Sequence, residues 1–254
     1  MNLEKLEKSK GVVILAKPTE NCDYLEIANR AKKFINHNLN LPVTIIQPNE
    51  DRVTTNKTGK TPKEWKNFFR WIAYEQSPYE KTVILDADYI TLTDTLNKFI
   101  DGNYDYKLLR HSLTPSGPME SYMGHRSTRH LWATIVIFQK TKKSKLLFEL
   151  VQRIEENWKY YSQLFRLDPY SFRNDFAFTI ADIILNGYQI GQNNLPHTIL
   201  TIVDSIKSLK KVNQFINIKT ENKNLVIPIQ DLHLMDKDFI LSDEFLHFQE
   251  TINE

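Results

Sequence analysis

The chain has 254 residues but only one cysteine, Cys22, and only 7 glycines. A single cysteine excludes a disulfide within the chain and fits a reducing cytoplasm, which is the location we expect. So few glycines argue against a loop-rich or low-complexity chain. The segment Met1–Lys10 is mostly polar, and the apolar run Val12–Ala16 is too short for a signal peptide or a bilayer span. We therefore expect no membrane span.

Two phosphate-binding motifs are also missing. Neither the dinucleotide fingerprint G-x-G-x-x-G nor the Walker A pattern occurs in the sequence. Their absence argues against a dinucleotide-binding dehydrogenase and against a P-loop enzyme. The formal net charge of +2 does not by itself imply a nucleic-acid partner. The length and the 41% hydrophobic content suit one α/β domain with a packed core.

The chain begins with a strand-helix-strand pattern. The apolar run Gly11–Ala16 and the β-branched run Pro42–Ile46 predict two buried strands. Between them, apolar residues at helical spacing predict a helix over about Asp23–Asn38. Such a unit places its two strands parallel, so we expect a parallel sheet with helices on its faces.

The most informative stretch is a short apolar strand, Thr82–Leu85, followed at once by Asp86 and Asp88. In a parallel sheet the carboxyl ends of the strands face the crevice where ligands bind. Two carboxylates held there can bind a hard divalent cation together with substrate phosphates. The alternative is an acidic turn that caps the next helix.

A capping box precedes this strand. Thr61, Pro62 and Glu64 are typical of a helix start, and the apolar residues that follow have helical spacing. Asn67 and Arg70 lie on or near the side of this predicted helix that is opposite its apolar face.

Positive charge is concentrated in three places. The stretch Arg110–His130 is rich in arginine and histidine, contains prolines and glycines, and has no apolar periodicity. We predict that it is the least structured part of the chain, and either a substrate lid or an ordinary loop. Lysines also cluster at residues 140–145 and 207–211, which favours an anionic partner or a solvated surface.

The run Leu85–Ile90 resembles the D-x-D motif of GT-A fold glycosyltransferases, and four further features extend the resemblance. They are the loop Lys17–Thr19 after the first strand, an inward polar residue (Asn67 or Arg70) on the helix before the D-x-D strand, the run Arg173–Asp175 at a late helix start, and the segment Asp231–Lys237 with its H-x-x-x-K pattern. The pattern is most similar to compact GT-A proteins of tailed bacteriophages. The resemblance implies a Rossmann-type α/β fold, with a mostly parallel sheet and helices on both faces.

The resemblance also implies an organisation of the chain. Residues 1–254 would form a single glycosyltransferase domain. Its half 11–110 would bind the nucleotide sugar, and its half 131–254 would bind the acceptor and carry the late metal and diphosphate segment.

The resemblance implies a role for each of these segments. Asp86, Asp88 and His233 would bind a divalent metal, Mn or Mg. Lys237 and Arg70 would neutralise the diphosphate of the donor, a nucleoside-diphosphate sugar with UDP as the expected nucleotide.

Three further roles complete the implied site. Lys17, Pro18 and Thr19 would line the base and ribose pocket, and Asn67 would also face the donor. Asp175 would act as the catalytic base of an inverting enzyme, or it is an ordinary acid at a helix start.

The implied activity is transfer of a sugar to an acceptor hydroxyl. A hydroxymethylated base in phage DNA is one acceptor, and a cell-surface glycan or lipid-linked acceptor is another. A D-x-D phosphohydrolase, a D-x-D polymerase or primase and a non-catalytic nucleotide-sugar-binding module remain alternatives. The oligomeric state, the donor sugar and the stereochemical outcome are left open by the sequence.

Overall fold

The described part of the chain covers almost all of its length. The computed structural model describes residues 10–49, 54–56, 63–65, 68–119, 121–124, 128–189, 191, 194–196 and 199–252. The predicted nucleotide residue Asn67 lies outside these ranges, so its role stays a prediction.

The described residues form the following helices and strands. The helices are α1 (Tyr24–Asn38), α2 (Ile72–Gln76), α3 (Asn97–Ile100), α4 (Lys142–Glu156), α5 (Trp158–Leu164), α6 (Asn174–Leu185), α7 (Lys237–Leu241) and α8 (Asp243–Ile252). The strands are β1 (Lys10–Leu15), β2 (Val43–Ile46), β3 (Thr54–Asn56), β4 (Lys63–Trp65), β5 (Lys81–Leu85), β6 (Tyr89–Ile90), β7 (Tyr106–Leu109), β8 (Ser112–Thr114), β9 (Gly117–Met119), β10 (Tyr122–Met123), β11 (Thr128–Arg129), β12 (Trp132–Gln139), β13 (Asn194–Leu195), β14 (Thr201–Val203), β15 (Ile206–Val212), β16 (Phe215–Thr220), β17 (Asn224–Pro228) and β18 (Leu232–Leu234). Within the described ranges, every helix falls short of the length and apolar character that crossing a bilayer requires.

A six-stranded sheet forms the centre of the fold, in the order β13-β7-β12-β5-β1-β2. β1 pairs in parallel with both β2 and β5, and β13 pairs in parallel with β7. Only β12 runs antiparallel to its neighbours in this sheet, β5 and β7. The predicted α/β fold class with a mostly parallel sheet is confirmed, and its likeness to the GT-A fold stays a prediction.

Helices cover both faces of this sheet. On β5, Val83 and Leu85 point to the face that packs against α1, whereas Ile84 points to the face covered by α4 and α6. Burial on both faces explains why the central strands read as continuous apolar runs rather than as alternating patterns.

A second, five-stranded sheet connects the two halves of the chain, in the order β6-β18-β14-β8-β9. β18 runs antiparallel to β6, with His233 opposite Tyr89. Because β6 follows the two acids directly, this pairing returns a segment near the chain end to the D-x-D turn. A three-stranded antiparallel unit, β15-β16-β17, lies in sequence between β14 and β18.

The long helix predicted from the capping box at Thr61 is wrong. Lys63–Trp65 form strand β4, which pairs with β3, and only Ile72–Gln76 are helical. Phe69 has a positive φ of 68°, and its N–H donates to Glu155 at 2.9 Å. A left-handed residue interrupts a right-handed helix, so the local helical pattern is overridden by hairpin pairing and by this tertiary contact.

The stretch Arg110–His130 is also more ordered than predicted. It contributes the strands β8 to β11, and the N–H of Leu113 donates to the carbonyl of Leu200 at 2.8 Å. Arg110 and His130 are buried. The description of this stretch as the least structured part of the chain is therefore wrong, because pairing with β14 anchors it, while its movement as a lid stays a prediction.

Candidate functional site

The two acids emerge at one edge of the main sheet together with the loop after β1. β1 and β5 are parallel, and Ile14 lies opposite Leu85. The residues that follow each strand therefore leave the sheet side by side. The main-chain N–H of Asp86 donates to the carbonyl of Thr134 at 3.1 Å, which ties the start of the acidic turn to the central antiparallel strand β12.

Asp86 is held by a buried arginine. The guanidinium of Arg70 forms an ion pair with one carboxylate oxygen of Asp86 and also donates to the main-chain carbonyl of Ala133. The side chain of Asp86 remains 24% exposed. Arg70 therefore fixes one oxygen of this acid and leaves the carboxylate accessible at the sheet edge.

Asp88 is held from two sides. His233 Nε2 lies 3.1 Å from Asp88 Oδ1, and Lys237 forms an ion pair with Oδ2. Burial alone would raise the pKa of Asp88, but the charges of Lys237 and His233 hold that pKa well below its usual range. Asp88 is therefore a carboxylate at neutral pH.

His233 lies between the two acids. Its Nε2 is 3.9 Å from Asp86 Oδ2, in addition to its contact with Asp88. Burial lowers the pKa of this imidazole, but the two carboxylates outweigh burial, so the net shift of the pKa is upward. The segment around His233 packs against the core, since all three residues of β18 are buried.

The donor atoms of these three residues converge. One ligand atom each from Asp86, Asp88 and His233 lies within 4.8 Å of the other two. Carboxylate oxygens and a neutral imidazole nitrogen form a donor set that suits Mn²⁺ and is compatible with Mg²⁺. The residues present therefore fit one divalent cation, and the three predicted metal ligands are brought together.

Lys237 opens helix α7 beside the acids. Its Nζ contacts the carbonyl oxygens of Leu234 at 3.3 Å and Met235 at 3.1 Å, in addition to Asp88. Asp236 caps α7 by accepting from the N–H of Phe239 at 3.1 Å. A four-residue separation from His233 thus places the ammonium group on the same acid that the imidazole contacts.

The loop Lys17–Thr19 reaches the same edge. The N–H of Thr19 donates to the carbonyl of Cys22 at 2.9 Å, which closes the loop into a tight turn. Two residues after it were not predicted from the sequence as part of the site, Cys22 and Tyr24. Burial raises the pKa of Tyr24, and the thiol of Cys22 and the carboxylates of Asp88 and Asp86 raise it further.

Asp175 occupies the first turn of α6, which Arg173 precedes as the N-cap residue. Its Oδ1 accepts from the N–H of Ala133 at 2.8 Å, and its Oδ2 accepts from Arg173 at 2.6 and 3.0 Å. Burial raises the pKa of Asp175, but Arg173, His130 and the Ala133 N–H outweigh burial and lower it. Both oxygens are engaged in structural contacts, and a base role for Asp175 stays a prediction.

Asp175 is linked to the acids through the main chain of β12. The N–H of Ala133 donates to Asp175, and the carbonyl of the same residue accepts from Arg70, which in turn binds Asp86. The pairing of β5 with β12 brings Ala133 close to Asp86, and the side chains of Arg70 and Asp175 both contact the main chain of Ala133.

Asp231 supports the acidic turn, a role that the sequence did not reveal. Its Oδ1 accepts from the N–H groups of Leu92 at 2.8 Å and Thr93 at 2.9 Å, and its Oδ2 accepts from the hydroxyl of Tyr89 at 2.9 Å. Burial raises the pKa of Asp231 to about 6. Its position two residues before His233, directly ahead of β18, was the available signal.

Comparison with protein-family models gives no match to this chain, and comparison with curated proteins gives none either.

Three solved structures with a partly similar arrangement of strands and helices are glycosyltransferases. GlyE from Streptococcus pneumoniae TIGR4 shares 13% sequence identity at a TM-score of 0.42, and the match covers 76% of this chain and 47% of GlyE. A glycosyltransferase involved in the glycosylation of the major capsid of PBCV-1 shares 12% identity at a TM-score of 0.40, covering 76% and 84%. The bifunctional glycosyltransferase WbbM shares 16% identity at a TM-score of 0.36, covering 76% and 40%.

The matches to GlyE and WbbM span about half of those chains or less.

Proposed function

We propose that this chain is a metal-dependent glycosyltransferase that transfers a sugar from a nucleoside-diphosphate sugar to an acceptor hydroxyl. The single observation that carries the proposal is the convergence of Asp86, Asp88 and His233, with ligand atoms within 4.8 Å, at the carboxyl edge of a mostly parallel sheet. Ligands of open α/β sheets bind at this edge.

The charges at the edge suit a diphosphate leaving group. A divalent cation bound there would neutralise the negative charge that develops on the diphosphate as the glycosidic bond breaks. Lys237 supplies a further positive charge beside Asp88, and Arg70 keeps Asp86 in place. An ammonium and a metal ion are both suited to electrostatic stabilisation of a departing phosphate.

The nucleotide is proposed to lie against the loop Lys17–Thr19. This loop and the acids follow neighbouring parallel strands at the same edge of the sheet. The carboxylates of Asp88 and Asp86 also contribute to the raised pKa of Tyr24. A base and ribose bound there would direct their phosphates towards Asp86 and Asp88. The nucleotide we expect is uridine, and the acceptor, whether DNA or a glycan, stays a prediction.

The direct test is calorimetry of nucleoside-diphosphate binding with and without Mn²⁺. The parent protein should bind UDP, or another nucleoside diphosphate, much more tightly with the metal present. Asp88→Asn should abolish this metal dependence, because it removes a charged ligand while keeping the side-chain shape. Asp94→Asn is the matched control, since Asp94 is an exposed acid six residues along the chain.

Two results would count against the proposal. One is a panel of nucleotide sugars that gives no metal-dependent binding to the parent protein. The other is release of inorganic phosphate from generic phosphate esters that is lost in Asp86→Asn, which would favour a D-x-D phosphohydrolase in place of a transferase.

A further inference from the structure

The antiparallel unit β15-β16-β17, hereafter the meander, has one buried and one exposed face. It is inserted between β14 and β18, which pair in parallel in the small sheet. Its inner face packs into the core that also contains α8. The inner residues are Leu209, Ile216, Ile218 and Ile227.

The outer face of the meander is apolar at one end. Val212 lies opposite Phe215 at the turn between β15 and β16, and Phe215 lies opposite Pro228 on β17. Val226 adjoins them on the same face. Val212 is 52% exposed, Phe215 46% and Val226 64%. Four apolar side chains at a strand turn therefore face solvent together.

Lysines flank this apolar end. Five lysines and one glutamate occur between Ile206 and Pro228. Lys210 lies two residues before Val212 on β15, and Lys219 lies four residues after Phe215 on β16. Both lysines are therefore on the outer face. The one acid, Glu221, lies in the opposite turn of the meander. The outer face therefore combines an apolar tip with a positively charged surround.

A second copy of this chain and a nucleic acid each fit this face poorly. A two-fold contact through it would bring lysines against lysines, with no acid on the face to pair with them. Nucleic acid would use the lysines to contact phosphates, but it would leave Val212, Phe215 and Val226 without a partner. An anionic bilayer surface suits both features, since apolar side chains enter the headgroup boundary while lysines contact lipid phosphates.

We propose that the outer face of the meander docks on an anionic phospholipid surface. Phe215 and Val212 enter the boundary between headgroups and acyl chains, and Lys210 and Lys219 bind the lipid phosphates. This docking is a binding property of the meander and does not depend on the proposed transfer reaction.

The test is flotation of the full chain with vesicles. The parent protein should bind vesicles of phosphatidylcholine with phosphatidylglycerol at low salt, and should not bind vesicles of phosphatidylcholine alone. Phe215→Ser should weaken binding at least about fivefold, through loss of buried apolar area. Lys210→Gln and Lys219→Gln should each weaken it about fivefold.

Leu164→Ser is the matched control for the apolar change, because Leu164 is 56% exposed on α5, away from the meander. It should bind vesicles as the parent does. All variants should keep the parent melting temperature, because the changed side chains project from the surface.

Three results would overturn the proposal. The first is no vesicle binding by the parent protein at low salt. The second is duplex DNA binding that needs the lysines and is unchanged in Phe215→Ser, which would assign the face to nucleic acid. The third is a dimer in sedimentation that Phe215→Ser dissociates, which would assign it to self-association. Vesicle flotation measures no nucleotide binding, so failure here leaves the proposed function untouched.

Discussion

Two buried acids of this protein, Asp182 and Asp88, each pair with a basic side chain, but their surroundings differ. Asp182 forms an ion pair with Arg110, and it also accepts from the hydroxyl of Tyr106 at 3.2 Å and the N–H of Gly191 at 3.2 Å. Arg110 in turn donates to Asn194 Oδ1 at 2.7 Å. Asp182 is thus held by a guanidinium, a hydroxyl and a main-chain N–H.

Asp88 instead shares its surroundings with a second acid. Asp86 and Asp88 both approach the imidazole of His233, and a lysine with a long, flexible side chain contacts Asp88. Bringing two carboxylates together costs folding free energy unless cations offset their repulsion. The Asp182 cluster therefore has the arrangement of a stabilising ion pair, whereas the Asp86–Asp88 pair has the arrangement of a binding site.

The largest effect that separates the two clusters is on stability. Asp182→Ala would leave the buried charge of Arg110 without its partner, so we expect the free energy of unfolding to fall by about 3–5 kcal/mol. Urea unfolding followed by circular dichroism measures this loss. Asp94→Ala, at an exposed position, should cost less than about 0.5 kcal/mol. Equal losses in the two variants would contradict a structural role for Asp182.

The next effect is on metal binding. His233→Gln removes the imidazole donor while keeping a polar side chain, so the affinity for Mn²⁺ in the presence of UDP should fall at least about tenfold, or roughly 1.4 kcal/mol. Its unfolding free energy should change much less than that of Asp182→Ala. Calorimetry and urea unfolding of the same preparations give both numbers. A variant with full metal affinity and reduced stability would show that His233 has a structural role, as Asp182 does.

The sequence predicted the sheet better than it predicted the surroundings of the acids. Runs such as Val12–Ala16 and Thr82–Leu85 are buried on both faces, so composition alone identifies them as strands. His233 was also identified, because its spacing to Lys237 resembles a family pattern. The contacts of Asp231 with Leu92 arise from strand pairing across 139 residues of sequence, and no local pattern encodes such pairing.

The helix predicted at Thr61 shows the reverse case, in which a strong local signal was overridden. The capping box and apolar spacing favoured helix, but Lys63–Trp65 pair as a strand, and Glu155 holds the N–H of Phe69 in a left-handed turn. Arg70 therefore reaches Asp86 from a turn rather than from a helix face. Propensity acts over a few residues, and a contact across 86 residues outweighed it here.

A smaller effect concerns Asp175, which borders the acids through Ala133. Its pKa is lowered in the folded protein, so its contribution to stability is present above the unfolded pKa near 3.8 and is lost as pH falls through the folded pKa. Asp175→Asn should therefore cost about 1 kcal/mol at neutral pH, since Arg173 is partly exposed and the ion pair is screened. The cost should vanish in acid.

Urea unfolding of parent and variant at neutral and acidic pH measures this dependence. A base role makes a separate prediction, a large fall in kcat with little change in donor affinity. A variant with unchanged stability at every pH and a strongly reduced kcat would favour the base over the structural acid.

The smallest expected effect tests whether the Asp88 cluster exchanges one cation for another. Lys237 forms an ion pair with Asp88, which is also one of the three candidate metal ligands. The ammonium group and a metal ion would therefore compete for the same carboxylate. Lys237→Met removes this competitor, so Mn²⁺ alone should bind about two- to threefold more tightly, which is less than 1 kcal/mol. With a nucleoside diphosphate present the sign should reverse, because the ammonium group then serves the phosphates. Lys159→Met, at an exposed position on α5, is the control and should change neither affinity. Calorimetric titration with Mn²⁺, with and without UDP, measures both changes in affinity. A change of Mn²⁺ affinity in the same direction under both conditions would show that Lys237 is a fixed counter-ion of Asp88, as Arg110 is of Asp182.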